Sequence, residues 1–64
     1  MTTMQKITAM RKRFHADDRT DSDLADHIGV NRATLSRWLS GDADPSLLSD
    51  TVRKVDEAFA GVCK

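Results

Sequence analysis

Two arginines five positions apart, Arg32 and Arg37, carry the most informative chemistry in this 64-residue sequence. They lie in a stretch, residues 31–41, that contains no acidic side chain, although residues 17–50 contain eight aspartates. A guanidinium group forms paired hydrogen bonds with two coplanar acceptors, such as the edge of a guanine base, and it also binds phosphate oxygens. This acid-free stretch is therefore a candidate binding site for a nucleic acid.

The total charge of the chain argues at first sight against binding to a nucleic acid. Ten Lys and Arg residues balance ten Asp and Glu residues, so the formal net charge is zero, whereas a nucleic-acid-binding domain is normally basic. The charges are nevertheless segregated. Residues 1–16 contain four basic residues and no acidic one, while residues 17–50 contain three arginines against the eight aspartates. The distribution of charge is thus more informative than its sum.

Composition excludes several classes of protein. A hydrophobic fraction of 39% and a charged fraction of 31% are typical of one small globular domain over residues 1–64. The single cysteine, Cys63, gives no disulfide framework, and His15 and His27 lack the spacing of metal ligands, so no metal or cofactor is expected. No apolar run approaches the ~20 residues that cross a membrane. With no catalytic pair either, we expect a cytoplasmic protein that is not an enzyme.

Apolar residues spaced by three or four positions predict an all-α protein of four short helices, and no segment alternates as a strand does. The first predicted helix covers residues 3–14. The second begins at a cap formed by Thr20 or Asp21, with Asp23 completing a capping box, and it runs to about residue 28. Gly29 supplies the left-handed conformation that ends it.

The third predicted helix covers residues 32–40. Asn31 is a good N-cap for it, and Gly41 ends it. Its predicted inward side chains are apolar: Leu35, Trp38 and Leu39. The remaining positions of this helix are therefore expected to face outward.

The fourth predicted helix begins at Pro45 or at Ser49 and runs to about Ala60, with Gly61 closing it. Its predicted inward stripe has steps of four, three and four residues: Leu48, Val52, Val55 and Phe59. The sequence thus predicts four helices around one core, with Trp38 and Phe59 as the largest core side chains.

A helix, a tight turn through Gly29 and a second helix describe a helix-turn-helix. Residues 24–41 resemble the DNA-binding segment of the lambda repressor and Cro class through Ala25, Gly29, Val30, Leu35 and Trp38, followed by Leu39-Ser40-Gly41 and Pro45-Ser46. The segments Thr34-Leu35-Ser36-Arg37 and Ser49 to Val55 are also similar to the LacI-type headpiece. The resemblance covers residues 20–60 and implies a lambda-repressor-like fold.

In that family the second helix of the pair enters the major groove of DNA. The resemblance implies that helix 32–40 is the recognition helix, whose outward residues are Asn31, Arg32, Ala33, Ser36 and Arg37. The hydroxyl groups of Ser22, Thr34 and Ser40 lie at positions that commonly meet phosphate. At the start of the second helix, Asp21 and Asp23 replace the usual Gln or Thr, which argues against a phosphate contact there.

The resemblance implies a small sequence-specific repressor of Cro type, from a phage or plasmid, that binds double-stranded DNA at a palindromic operator. A homodimer without a small-molecule effector is expected. Its contact surface is expected first on the exposed part of the fourth helix and the C-terminal residues, and second on the first helix. The eight aspartates predict weak binding to random DNA.

Two alternatives remain open. The pattern SRWLSG followed by a proline also occurs in excisionase-like factors, which bend DNA at repeated sites. An antirepressor or inhibitor that keeps the helix-turn-helix fold but binds a protein is the other alternative, and the acidic middle of the chain slightly favours it.

Overall fold

The computed structural model describes residues 1–62, which form four α-helices: α1 (Thr3–Ala16), α2 (Asp21–Ile28), α3 (Arg32–Ser40) and α4 (Ser49–Val62). No strand occurs among these residues. The predicted all-α class with four helices and a helix-turn-helix is confirmed.

Two capping boxes begin the first two helices. Thr2 caps α1 and exchanges hydrogen bonds with Gln5. Thr20 caps α2, where its hydroxyl accepts from the backbone N–H of Asp23 and the Asp23 carboxylate accepts from the backbone N–H of Thr20. These reciprocal bonds satisfy N–H groups that have no partner inside the helix. The predicted box with Asp in place of Glu is therefore confirmed.

A short turn joins α2 to α3. Gly29 adopts φ 95° and ψ 29°, and its N–H donates to the carbonyl of Ala25 at 2.9 Å. Two residues later, Oδ1 of Asn31 accepts from the backbone N–H of Thr34 at 2.8 Å and begins α3. Gly29 ends α2 and Asn31 begins α3 only two residues later, so the chain changes direction within three residues and α3 starts next to the end of α2. Both predicted signals are confirmed.

A longer connection, residues 41–48, joins α3 to α4. Oδ1 of Asp44 accepts from both the backbone N–H and the hydroxyl of Ser46, which holds a turn instead of a first helical residue at Pro45. Helix α4 therefore begins at Ser49, the second of the two predicted starts. Leu48 precedes that helix and is 67% exposed, so its predicted place in the buried stripe is wrong.

Helices α1 and α4 both run past their predicted ends. Helix α1 continues from Phe14 to Ala16 and is followed by a turn in which Asp18 has φ 60°. Helix α4 continues through Gly61 to Val62, so the prediction that Gly61 closes it is wrong. Gly61 has no left-handed φ and lies beside the ring of His27. Cys63 lies outside the described residues.

All four helices contribute to one core, which consists of Ile7, Met10, Phe14, Leu24, Ala25, Ile28, Leu35, Trp38, Val55 and Ala58. Helix α2 packs against each of the other three helices and so holds α3 in place. Val30, Leu39 and Phe59 are half-buried at the edge of this core rather than inside it. Over residues 1–62, no helix has the length and apolar character needed to cross a bilayer.

Candidate nucleic-acid interface

Two buried anchors orient α3 on the body of the protein. Leu35 is fully buried and Trp38 is 6% exposed. Because side chains on a helix repeat about every 3.6 residues, these anchors turn the opposite side of α3 outward. Five of the predicted site residues lie exposed there: Arg32, Ala33, Ser36, Arg37 and Ser40. The structure thus brings most of the predicted interface residues onto one exposed side.

The two arginines of this side are unpaired. Within residues 1–62, neither Arg32 nor Arg37 has a side-chain ion pair or hydrogen bond, whereas Lys6, Arg13 and Arg53 each pair with an aspartate. The exposed side of α3 also carries no acidic residue. Both guanidinium groups therefore keep their donors free for an external ligand.

Two other predicted contacts already have partners within the chain. Oδ1 of Asn31 is used by the cap of α3. The hydroxyl of Ser40 lies 3.2 Å from both the carbonyl of Arg37 and the carboxylate of Asp42. The cap leaves the amide nitrogen of Asn31 available, while Ser40 stands beside a negative charge. Contacts of either residue with DNA remain predictions.

Thr34 and Ser22 lie on different sides of α3. Thr34 is half-buried and lines a hollow with Trp38 and the connection 41–48, away from Arg32. Ser22 is exposed at the start of α2 and lines a hollow that includes Arg32. The structure therefore brings Ser22 to the side of Arg32 and does not bring Thr34 there.

The start of α2 contains a charged cluster. Nε of Arg11 donates to Oδ1 of Asp21 at 3.0 Å, and Nε2 of His15 lies 2.8 Å from the same oxygen. Desolvation raises the pKa of Asp21, but the hydrogen bonds and positive charges of His15 and Arg11 outweigh it and hold that pKa below the ordinary value. Arg11 thus pairs with Asp21, one of the two acidic residues that argued against a phosphate contact at this helix start, while Asp23 is bonded only to Thr20.

A third basic residue stands in the turn before α2. The guanidinium carbon of Arg19 lies 4.2 Å from the centroid of the Phe14 ring, and the backbone N–H of Arg19 donates to the carbonyl of Phe14 at 2.8 Å. The ring and the hydrogen bond restrict where this charge can lie. Arg19 and His15 line the hollow that also contains Ser22 and Arg32.

Sequence reasoning did not identify Arg11, His15 and Arg19 as members of one surface. The spacing of four between Arg11 and His15 places them on the same side of α1, which was the available signal. Their meeting with Asp21 depends on the packing of α1 against α2, and that contact leaves no local pattern in the sequence.

The second histidine has a structural role. The ring of His27 lies with its centroid 5.4 Å from that of Phe14, and Nε2 is 3.0 Å from the carbonyl of Ala58. This contact links α2 to α4. Among residues 1–62, no group of three or more His, Cys, Asp or Glu side chains is placed to hold a metal ion.

Comparison with known proteins agrees with this geometry. A protein-family model described as helix-turn-helix matches residues 9–59, which include all of α2 and α3. Searches of curated proteins and of solved structures gave no match. The family match covers well over half of the chain and includes the exposed arginine pair. The chain belongs to the lambda repressor/Cro-like helix-turn-helix family and carries a DNA-binding domain of that family.

Proposed function

We propose that this protein is a sequence-specific transcriptional regulator, a repressor of Cro type, that inserts α3 into the major groove of a palindromic operator. The observation that carries the proposal is the exposed side of α3, where Arg32 and Arg37 are unpaired within residues 1–62 and no residue of the helix is acidic. Paired hydrogen bonds from arginine to guanine are the commonest base-specific contact in the major groove. The two guanidinium groups are the residues on which specificity depends.

The other residues of the interface have smaller roles in this proposal. Asn31 contacts a base or the backbone through its amide nitrogen, because its oxygen is held by the cap. Ala33 and Ser36 pack against base edges, and the hydroxyls of Ser22, Thr34 and Ser40 meet phosphates. Of these three hydroxyls, Ser22 has the strongest support, since it shares a hollow with Arg32.

The active form in this proposal is a homodimer whose two α3 helices enter successive major grooves about 34 Å apart. Two large apolar residues beside α4 support a pairing surface: Leu47 is 77% exposed and Leu48 is 67% exposed. A twofold contact pairs the same patch on both copies, and leucine side chains are self-complementary in that arrangement. The dimer contact is thus assigned to the connection 41–48 and the start of α4.

The remaining parts of the proposal follow from the family. One domain covers residues 1–64 and acts in the cytoplasm on DNA, without a small-molecule effector. A DNA-binding family of this kind supports a role that is not enzymatic. The aspartates outside α3 oppose phosphate binding, so affinity for random DNA at physiological salt is low. Tight binding to random DNA under those conditions would contradict this point.

The test is a titration of the protein against duplex DNA from the region upstream of its own gene. Arg37→Ala and Arg32→Ala are expected to lose about 1–3 kcal/mol of binding free energy at particular base pairs. Lys54→Ala is the matched control, because Lys54 is an exposed cation on α4, away from α3. A loss that is equal for all sequences would assign the arginines to phosphate, and the absence of any specific complex at moderate salt would refute the proposal.

A second candidate function is protein binding, as in an antirepressor. The observation that favours it is the pair of exposed leucines in the connection 41–48, which also carries Asp42 and Asp44. The remaining alternative is an excisionase-like factor. Footprinting of the protein on the same upstream DNA distinguishes it from a repressor. Two symmetric half-sites support a repressor, while tandem sites with bent DNA support an excisionase-like factor.

A further inference from the structure

Leu47 stands between two open hollows on the surface of the protein. One of them, which we call the Trp38 hollow, is lined by Trp38, Leu47 and Leu48 among others. The other, the Arg53 hollow, is lined by Leu47, Val52 and Arg53 among others. Leu47 is 77% exposed and forms a ridge between the two. A large apolar side chain in such a position marks an interaction surface.

The Trp38 hollow combines apolar walls with acidic side chains. Thr34 and Trp38 of α3 form one wall, and the connection 41–48 forms most of the rest. Of the described residues that line it, Asp42 and Asp44 are the charged ones, and none is basic. Within residues 1–62 neither carboxylate is paired with a cation. The occupant that fits is therefore an apolar side chain with a positive charge beside it.

A second copy of the chain presents such an occupant. Its Leu47 is apolar and exposed, and its Arg53 lies on the side of that ridge away from the Trp38 hollow. The Arg53 side chain is 70% exposed, and its partner Asp50, at 3.1 Å, is exposed as well. An exposed pair of this kind contributes little stability, so Arg53 can exchange partners at low cost.

Twofold symmetry brings these features together. A rotation of 180° reverses the order of ridge and hollow, so the ridge of each copy can enter the Trp38 hollow of the other. Each Arg53 then meets the rim of that hollow farthest from the other copy's own ridge. Asp44 lies near its own ridge, because its carbonyl accepts from the N–H of Leu47 at 3.4 Å. The far rim is formed by Asp42, whose N–H donates to a carbonyl of α3 at 2.9 Å.

We propose that in the dimer Leu47 of each copy enters the Trp38 hollow of the other and that Arg53 pairs there with Asp42 of the partner subunit. The inference rests on the proposed dimer and assigns the residues that join its two copies. Since one wall of the hollow belongs to α3, the contact that joins the copies also holds the two recognition helices relative to each other. The contact therefore favours DNA with two half-sites over DNA with one.

An exchange of charges tests the pairing. Sedimentation equilibrium of the whole chain, without DNA, gives the dissociation constant of the dimer. Arg53→Asp and Asp42→Arg each place like charges across the contact and should each raise that constant about tenfold, because every substitution alters two symmetric contacts. The double variant Asp42→Arg/Arg53→Asp restores opposite charges and should return the constant to within about threefold of the unmodified value.

Lys54→Asp is the matched control, since it changes the net charge by the same amount as Arg53→Asp. Lys54 is an exposed cation of α4 that lines neither hollow, so this variant should dimerise as the unmodified protein does. Leu47→Glu removes the ridge and should be monomeric at concentrations where the unmodified protein is a dimer. Circular dichroism checks that each variant is folded.

DNA binding supplies a second readout. The unmodified protein and Leu47→Glu should bind a duplex with one footprinted half-site equally well, whereas only the unmodified protein should gain at least about tenfold in affinity on the full upstream duplex. A dimer that tolerates Leu47→Glu, or a double variant as weak as the single ones, would overturn this contact and leave the proposed dimer in place. An unmodified protein that stays monomeric in solution and on the upstream duplex would refute the proposed dimer, and this contact with it.

Discussion

Helix α3 is flanked by two very different connections. The turn before it, residues 29–31, is short, with a left-handed glycine and a cap that follow one another directly. The connection after it, residues 41–48, also begins with a left-handed glycine but carries two exposed leucines and a turn held by Asp44. The comparison indicates that the first connection sets the orientation of α3, while the second leaves two large apolar side chains exposed.

The largest expected difference in stability is between a buried leucine of α3 and an exposed leucine of the connection that follows it. Leu35→Ala removes a fully buried side chain that anchors α3 and should lower the free energy of unfolding by about 2–5 kcal/mol. Leu48→Ala removes an exposed side chain and should change it by less than about 0.5 kcal/mol. Urea unfolding followed by circular dichroism measures both. Equal losses would mean that the second connection also stabilises the core.

A smaller effect is expected at the two left-handed glycines. Gly29→Ala places a Cβ at φ 95°, where nothing lies within 4 Å, so its cost is the backbone strain of about 1–2 kcal/mol. Gly41→Ala meets the same strain at φ 87°, but the longer connection that follows can adjust. Thermal unfolding should therefore show a larger decrease in Tm for Gly29→Ala, and the reverse order would break the comparison.

A smaller difference in stability is expected between the side chain that caps α3, Asn31, and the one that holds the turn before α4, Asp44. Asn31→Ala removes the acceptor for the N–H of Thr34 and should cost about 1 kcal/mol of stability. Asp44→Ala removes the acceptor of an exposed turn and should cost less than Asn31→Ala does. Asn31→Asp is a sharper variant, since it keeps a cap but brings a negative charge to the side of α3 that is proposed to face DNA. We expect it to preserve stability while weakening DNA binding, as measured by unfolding and titration in parallel.

The smallest expected effect on stability concerns two ion pairs. One joins Arg11 to Asp21 at the start of α2, and the other joins Arg53 to Asp50 at the start of α4. Asp21 has a lowered folded-state pKa, so its contribution is present above its ordinary value of 3.8 and is lost as the pH falls through the folded-state value. Asp21→Asn should therefore remove less than about 1 kcal/mol near neutral pH and flatten the acid dependence of unfolding. Asp50→Asn breaks an exposed pair with Arg53 and should change the free energy of unfolding by less than Asp21→Asn does, as measured by urea unfolding.

The features that the sequence predicts well are those decided within a few residues. Thr20, Gly29, Asn31 and Gly41 mark helix ends through their own backbone preferences and hydrogen bonds, and the structure has them in those roles. The end of α4 was misjudged because Gly61 is equally compatible with a helix interior. A glycine ends a helix only where the chain needs a positive φ.

Predictions that required knowledge of packing were less successful. The periodicity that placed Leu48 in the core assumed that α4 began before it, whereas Asp44 and Ser46 hold a turn there. The cluster of Arg11, His15 and Asp21 joins two helices across a turn, so the spacing along α1 indicates only that Arg11 and His15 share a side and not that they meet Asp21. For the same reason, the exposed side of α3 was predictable and the hollow beside it was not.

Trp38 has a practical consequence for spectroscopy. It is the only tryptophan, and the chain contains no tyrosine, so indole fluorescence reports on one site alone. That site is the inner side of α3, where the ring is 6% exposed. A red shift of the emission would therefore mark the detachment of this helix, while far-ultraviolet circular dichroism follows all four. If the two signals change together on heating, α3 and the rest of the protein unfold as one cooperative unit.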